Sequence, residues 1–121
     1  MKTGCYKDLE IWQKSMDLTI EVYSLTKLMP QEEKYALSDQ MRRAAVSIPS
    51  NIAEGIGRGS EKETVRFLYI SKGSLLELET QLEICKRLNF ISESSYLYIS
   101  TMIESICKML NSFIQYRSKF I

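Results

Sequence analysis

The chain of 121 residues is 45% hydrophobic and 26% charged, a composition typical of one globular domain. Its 16 basic and 15 acidic residues leave a net charge of +1, so any binding of nucleic acid needs a local basic patch. The absence of histidine excludes Ser-His and Cys-His nucleophile pairs, HExxH zinc sites and the Glu-x-x-His ligands of di-iron bundles.

The first predicted helix runs from about Asp8 to Met29 and carries two apolar stripes at helical spacing. One stripe comprises Leu9, Trp12, Met16, Ile20 and Tyr23. A second stripe, on a different side, comprises Ile11, Leu18, Val22, Leu25 and Met29. A bundle helix usually buries an apolar arc of about 100° or a little more. Because this helix is apolar over a wider arc, it is either unusually central or packed against another subunit. The candidate subunit contacts on it are Ile11, Leu18, Val22 and Leu25.

The second predicted helix runs from near Gln31 to about Arg58. Pro49 lies inside its apolar pattern and predicts a kink or a brief interruption, because proline lacks a backbone N–H and crowds the preceding turn. The glycines at positions 55, 57 and 59 mark the end of the helix and a turn. The residues assigned to its core face are Leu37, Met41, Ala44, Ala45, Ile48 and Ile52.

The third predicted helix begins at Ser60 and reaches about Leu88. Ser60 followed three residues later by Glu63 is a capping-box pattern, in which each side chain bonds the other residue's backbone N–H. Gly73 in mid-helix costs about 1 kcal/mol relative to alanine, which predicts close packing at that point. The inward stripe comprises Leu68, Leu75, Leu78, Leu82 and Cys85.

The fourth predicted helix follows a short connection over residues 89–92. Its inward stripe comprises Ile99, Met102, Ile103, Ile106, Leu110 and Phe113. Four amphipathic helices joined by short connections pack most simply as an antiparallel up-down-up-down bundle. The sequence therefore predicts an all-α four-helix bundle that occupies residues 1–121 as a single domain.

Neither a catalytic residue nor a metal or cofactor site is predicted. The segment 55–60, GIGRGS, offers backbone N–H groups to an anion, but its simpler interpretation is a turn between two helices. Glu77, Glu79 and Glu83 are interpreted as the solvated face of the third helix. The three cysteines are dispersed without CxxC spacing, so we expect neither a disulfide nor structural zinc.

The uncharged stretches are far shorter than the ~20 apolar residues that span a bilayer. Charged residues also interrupt any apolar run near the N-terminus, unlike in a signal peptide. We therefore expect a cytoplasmic protein with no membrane partner.

The segment 40–55, QMRRAAVSIPSNIAEG, followed by Arg58, has a composition that helical periodicity does not explain. It closely resembles the QxRRAAxSIPSNIAEGxxR signature of bacterial four-helix bundle proteins encoded within intervening sequences of 23S rRNA genes. Segments 6–14, 66–68 and 73–79 are similar to that family as well, so the resemblance extends over nearly the whole chain. It implies a bundle that assembles into a ring-like homo-oligomer, typically a pentamer. The related accessory variability proteins of diversity-generating retroelements bind reverse transcriptase and nucleic acid through basic surfaces.

Basic residues cluster around the turn between the second and third helices. Phosphate contacts need cations grouped at this scale, and an adjacent aromatic ring such as Tyr69 can stack on an unpaired base. The alternative is that neighbouring acidic residues simply pair with these cations. The candidate nucleic-acid-binding residues are Arg42, Arg43, Arg58, Lys62, Arg66 and Lys72, and further candidate subunit contacts are Tyr35, Val46 and Ala53.

Two hypotheses on function follow from these observations. The first is a non-enzymatic oligomeric scaffold or protein-interaction module whose partners are copies of itself and another protein. The second is an accessory protein that binds RNA or DNA through the basic patch and is associated with rRNA or with a reverse transcriptase.

Overall fold

The computed structural model describes residues 5–121, which form four long helices and no strand. Each helix packs against its two neighbours, with α1 against both α2 and α4 and α3 likewise, and this arrangement confirms the all-α four-helix bundle. In the described part of the chain, no helix is long and apolar enough to cross a membrane. The helices are α1 (Glu10–Thr26), α2 (Leu37–Ile56), α3 (Glu61–Arg87) and α4 (Glu93–Ser118), and 3₁₀ turns span Tyr6–Asp8 and Gln31–Glu33.

The core is lined by the second apolar stripe of α1, the stripe that was expected to contact another subunit. That expectation is wrong for Ile11, Leu18, Val22 and Leu25, which are all buried inside the bundle. The side of α1 that remains exposed is the other stripe, at Met16, Ile20 and Tyr23. Both stripes have helical spacing. The stripe that faces α2, α3 and α4 forms part of the core, because packing against these helices removes it from water.

The start of α2 lies six residues later than the sequence predicts. Residues Gln31–Glu33 form a separate 3₁₀ turn, and Ala36 has a non-helical backbone with φ −122° and ψ −106°. Arg42 donates a hydrogen bond to the Lys34 carbonyl over 3.1 Å, so a side chain from α2 holds this connection in place. The turn is therefore a separate element that leads into α2.

Pro49 was expected to cause a kink or a brief interruption. The helix is not interrupted there, because α2 is continuous from Leu37 to Ile56, and the kink stays a prediction. Proline cannot supply the N–H that the Ala45 carbonyl would normally accept one turn earlier. The buried Thr19 hydroxyl of α1 lies 3.1 Å from this carbonyl oxygen and 2.8 Å from the Ser15 carbonyl oxygen. Its single proton is shared between the two acceptors, so α1 supplies the donor that Pro49 removes from α2.

The α2–α3 interface is tightest at Gly55 and not at Gly73. A Cβ atom added at Gly55 would lie 2.9 Å from the Phe67 Cβ atom and 3.1 Å from the Thr64 carbonyl oxygen. The Thr64 hydroxyl also donates to the Gly55 carbonyl over 2.7 Å. At Gly73 a Cβ atom would meet nothing within 4 Å, so the predicted close packing within the chain is wrong there. The surface of α3 at Gly73 is open.

A side chain caps the start of α3, and an ion pair joins the start of α3 to the end of α4. The Ser60 hydroxyl accepts from the Glu63 N–H over 3.2 Å, while the Glu63 carboxylate pairs with Arg66 instead of completing the predicted capping box. In the last turn of α4, Arg117 donates two hydrogen bonds to Glu61, of 2.6 and 3.1 Å. This bidentate pair links the end of α4 to the start of α3.

The close contact at Gly55 is tested by substitution with alanine. We expect Gly55→Ala to lower the free energy of unfolding by about 1–2 kcal/mol, because overpacking outweighs a gain in helix propensity of about 1 kcal/mol. Gly59→Ala is the matched control, since an added Cβ atom there meets nothing within 4 Å and the change should stay within about 0.5 kcal/mol. Urea unfolding followed by far-UV circular dichroism measures both, and equal stabilities would contradict the close approach.

The hydrogen bond from Thr19 to the Ala45 carbonyl is tested by a double-mutant cycle. Thr19→Val should cost about 1–3 kcal/mol of stability, because it leaves a buried carbonyl without its donor. Pro49→Ala restores a backbone N–H for the same carbonyl, so in that background the cost of Thr19→Val should fall by about 1 kcal/mol. Additive effects of the two substitutions would show that the hydroxyl does not serve this carbonyl.

Candidate functional site

An exposed apolar strip runs along α1 and is defined here as Met16, Ile20 and Tyr23. These side chains are 37%, 62% and 41% exposed in the chain. Contiguous exposed apolar patches in soluble proteins commonly mark interaction sites. The α1 strip is therefore a candidate contact surface.

A groove between α1 and α4 opens beside this strip. It has a volume of about 490 Å³. The α4 side presents Tyr98, whose ring is largely exposed, and Met102. The α1 edge carries Lys14, Asp17, Ile20 and Glu21. A lining that combines apolar and charged side chains is a feature of a docking groove.

A second and more apolar groove continues along the same pair of helices towards the other end of the bundle. It has a volume of about 530 Å³ and is lined mostly by side chains from the start of α1 and the end of α4, including Leu9, Ile11, Met109 and Phe113. Glu10 lies at its α1 edge. The α1–α4 seam is thus open at two successive places.

On α3 an outward ridge is formed by Lys62, Tyr69, Lys72 and Leu76. Tyr69 and Leu76 are seven residues apart, about two helical turns, and are 55% and 45% exposed. Gly73 lies between them with open space above it. The α3 ridge therefore has an apolar centre at Tyr69 and Leu76, with Lys72 between these two residues and Lys62 two turns before Tyr69.

Of the six candidate nucleic-acid-binding cations, Arg42 is held inside the chain. Its guanidinium donates to the Thr26 hydroxyl over 3.3 Å as well as to the Lys34 carbonyl, and it lies 5.9 Å from the centre of the Tyr23 ring. These contacts fix the connection between α1 and α2. Arg42 therefore serves the fold, although it lines the same surface groove as Arg43.

Arg58 and Arg66 come together over the buried Phe67 ring, with guanidinium carbons 4.6 and 4.5 Å from its centre. Each also pairs with a carboxylate on its own helix, Arg58 with Glu54 over 3.3 Å and Arg66 with Glu63 over 3.0 Å. The hydrogen bond from Arg66 holds the pKa of Glu63 below its usual value. Both cations are therefore close together but already paired.

The remaining three candidates differ in their pairing. Arg43 forms an ion pair with Asp39 over 3.0 Å. Lys62 and Lys72 form no ion pair with any carboxylate in residues 5–121. Lys62 and Lys72 therefore keep an uncompensated charge within the described chain, and both lie on the α3 ridge. Arg42 also forms no ion pair there, but the Thr26 hydroxyl and the Lys34 carbonyl hold its guanidinium.

Three of the candidate subunit contacts remain at the surface. Tyr35 is almost fully exposed, Val46 is partly exposed on α2, and Ala53 is half-buried. Val46 lines a groove of about 460 Å³ with Tyr23 of the α1 strip. Of these three residues, Val46 thus meets the α1 strip along the α1–α2 groove, whose lining does not include Tyr35 or Ala53.

Titratable and sulfur-containing groups elsewhere are accounted for by packing. Burial raises the pKa of the Cys85 thiol to about 11, and its sulfur lies 3.4 Å from the Met41 sulfur in the core. Arg87 and the Tyr96 hydroxyl both donate to Glu83, and these hydrogen bonds lower its pKa. Residues 5–121 hold no group of three or more acidic or cysteine side chains arranged to bind a metal.

Sequence reasoning missed the α1–α4 groove and the apolar centre of the α3 ridge. The available signal was the set of apolar residues that lie outside the inward stripes, namely Tyr69, Leu76 and Tyr98. A single exposed apolar residue is common on protein surfaces, so each one alone indicates little. Their grouping becomes visible only when helices distant in sequence are placed side by side.

Comparison with known proteins identifies the family. The family described as 23S rRNA-intervening sequence protein matches residues 7–112. A solved structure of similar fold is a protein with unknown function from the S23 ribosomal protein family of Bacteroides thetaiotaomicron. The two chains share 28% identity and a TM-score of 0.81, over 86% of this chain and 97% of that chain. No curated protein matches the chain. The family match includes α1, α2, α3 and most of α4, and the chain therefore belongs to the 23S rRNA-intervening sequence protein family.

Proposed function

We propose that this protein is a non-enzymatic scaffold that self-associates and presents its outer surface to other macromolecules. The observation that carries the proposal is the α1 strip, where Met16, Ile20 and Tyr23 remain exposed after the core is complete. An apolar surface of this kind is stabilised when a partner covers it.

The chemistry of the described residues supports a binding role over a catalytic one. The chain has no histidine, the usual general base. Its one strongly shifted thiol, Cys85, is sealed in the core with a raised pKa, which disfavours the reactive thiolate. The described surface carries grooves with apolar side chains in their lining, as binding surfaces have.

The proposed form of the assembly comes from the resemblance of this sequence to a known family. The sequence signature at residues 40–58 resembles that of bundle proteins that form rings, typically pentamers. A ring needs each subunit to use two different faces, and the chain offers exposed apolar side chains on both α1 and α3. We therefore propose a closed homo-oligomer, with five subunits as the expected number.

The α1 strip is tested by Ile20→Lys. The dissociation constant of the assembly should rise about tenfold or more, because the substitution removes a large apolar contact and introduces a charge there. Leu88→Lys is the matched control, since Leu88 is 55% exposed and lies beyond the end of α3, away from the strip. Gel filtration coupled to light scattering, across a dilution series, measures subunit number and dissociation. A wild-type protein that stays monomeric at micromolar concentration would refute the proposal.

The second candidate function is binding of RNA or DNA. The observation that favours it is the α3 ridge, where Lys62 and Lys72 lack carboxylate partners and Tyr69 offers a ring for stacking. Repetition of the ridge around a ring would strengthen weak contacts by multivalency. A reverse transcriptase is the proposed protein partner for this function, by resemblance alone.

For this second function, Lys62→Glu and Lys72→Glu are the informative variants. Each should weaken binding to single-stranded RNA or DNA and reduce the salt dependence by about one counterion. Arg43→Glu is the control, because Arg43 lies on α2 and pairs with Asp39. Fluorescence titration with labelled oligonucleotides at low and physiological salt measures these effects. A wild-type protein that fails to bind even at low salt would remove this candidate.

A further inference from the structure

We infer that the α3 ridge of one copy docks into the α1–α4 groove of a second copy, with the two helices parallel. The inference rests on the self-association proposed above and specifies which two faces meet. It assigns Lys62, Tyr69, Lys72 and Leu76 to one side of the contact. The other side comprises Glu10, Asp17, Ile20 and Glu21 of α1 and Tyr98 of α4.

The first argument is shape. The groove beside the α1 strip is a concavity of about 490 Å³ whose mixed lining includes the apolar side chains of Ile20 and Met102. The α3 ridge is a convexity in which Tyr69 and Leu76 stand two turns apart. Between them Gly73 has no side chain and nothing within 4 Å, so another helix can approach the α3 backbone closely at that point. The role of Gly73 in the middle of α3 is then to let the helix of a second copy approach closely.

The second argument is charge. Three acids lie on one side of α1, at Glu10, Asp17 and Glu21, and none forms an ion pair within residues 5–121. On the α3 ridge, Lys62 and Lys72 are also without ion-pair partners in the described chain. Opposite charges left over on two faces of one chain favour contact between copies.

The spacing of these charges agrees with a parallel arrangement. At a rise of about 1.5 Å per residue, Glu10 and Glu21 lie about 16 Å apart along α1, and Lys62 and Lys72 lie about 15 Å apart along α3. In parallel register, Glu10 faces Lys62 and Glu21 faces Lys72. Lys14 then lies opposite Arg66, whose charge Glu63 already balances. Asp17 lies opposite Tyr69, within the same face.

The third argument is closure. In an up-down-up-down bundle α1 and α3 run in the same direction, so subunits related by rotation about an axis along the bundle bring them together in parallel. Asp17 and Glu21 border the groove shared with α4. Lys72 and Leu76 lie two turns before Glu79 and Glu83, which line another groove shared with α4. Both contact faces therefore lie on the α4 side of the bundle. Each successive subunit is then rotated in the same direction, so a ring can close.

A symmetric pairing of two α1 strips satisfies these observations less well. It would place the acids of one copy beside the acids of the other, and like charges in close contact destabilise an interface. It would also leave the α3 ridge and its open glycine unexplained. The heterologous pairing accounts for both faces with a single contact.

Charge reversal on one face and then on both tests the pairing. The α1 variant carries Glu10→Lys and Glu21→Lys, and the α3 variant carries Lys62→Glu and Lys72→Glu. Each should weaken self-association about tenfold, because attraction between the faces becomes repulsion. The fourfold variant with all these substitutions should recover most of the wild-type affinity, since opposite charges again face each other. Light scattering measures assembly, and thermal melts confirm that each variant folds.

The outcomes separate this inference from the proposed function. Recovery of assembly in the fourfold variant supports the pairing, because a symmetric α1 contact predicts no recovery. If the wild type and the α3 variant assemble equally well, the pairing is wrong and the scaffold proposal stands. A monomeric wild type overturns both. If the α3 variant loses only RNA or DNA binding and assembles normally, the ridge is a nucleic-acid surface and the pairing is wrong.

Discussion

The packing of α2 depends on hydroxyl groups from both neighbouring helices that donate hydrogen bonds to its backbone carbonyls. Threonine and serine side chains are small enough to let helices approach closely while they satisfy buried carbonyls. These bonds join Thr19 to Ala45, Ser71 to Ile48 and Thr64 to Gly55. The first also serves a carbonyl that Pro49 deprives of its usual donor. The centre of the family signature therefore acts through the packing of α2, which it holds between α1 and α3.

The remaining surface follows from this arrangement. With α2 held closely against α3, the seam between α1 and α4 stays open as two successive grooves. One stripe of α1 completes the core, while Met16, Ile20 and Tyr23 of the other stripe remain exposed in the described chain. Most cations of the basic segment are occupied as well: Arg42 holds the α1–α2 connection, and Arg58 and Arg66 pair with carboxylates above Phe67. Exposed apolar side chains thus remain on α1, α3 and α4, and charges of opposite sign without an ion pair in the described chain lie on α1 and α3.

Sequence patterns predicted the number of helices, the boundaries of α3 and the residues of three core stripes correctly. They succeeded because the most regular apolar stripe of α2, α3 and α4 is in each case the buried one. The helix start near Gln31 was wrong, since the Arg42 contact that holds the preceding turn joins residues eight positions apart. The role expected of Gly73 was wrong for a related reason. A glycine signals a close approach but does not show whether the approaching group belongs to the same chain.

The sequence by itself determined a four-helix bundle, the Ser60 cap of α3 and the family, because these depend on local spacing and on one long signature. Only the tertiary structure decided which stripe of α1 is buried and which cations are already paired. Both Ile11 with Leu18 and Met16 with Ile20 fit a helical face, and periodicity cannot rank two faces of one helix. The ranking depends on where α2 and α4 lie around α1, which is a property of packing. The α3 ridge and the α1–α4 groove have the same origin, since each is a surface that the packed core leaves uncovered.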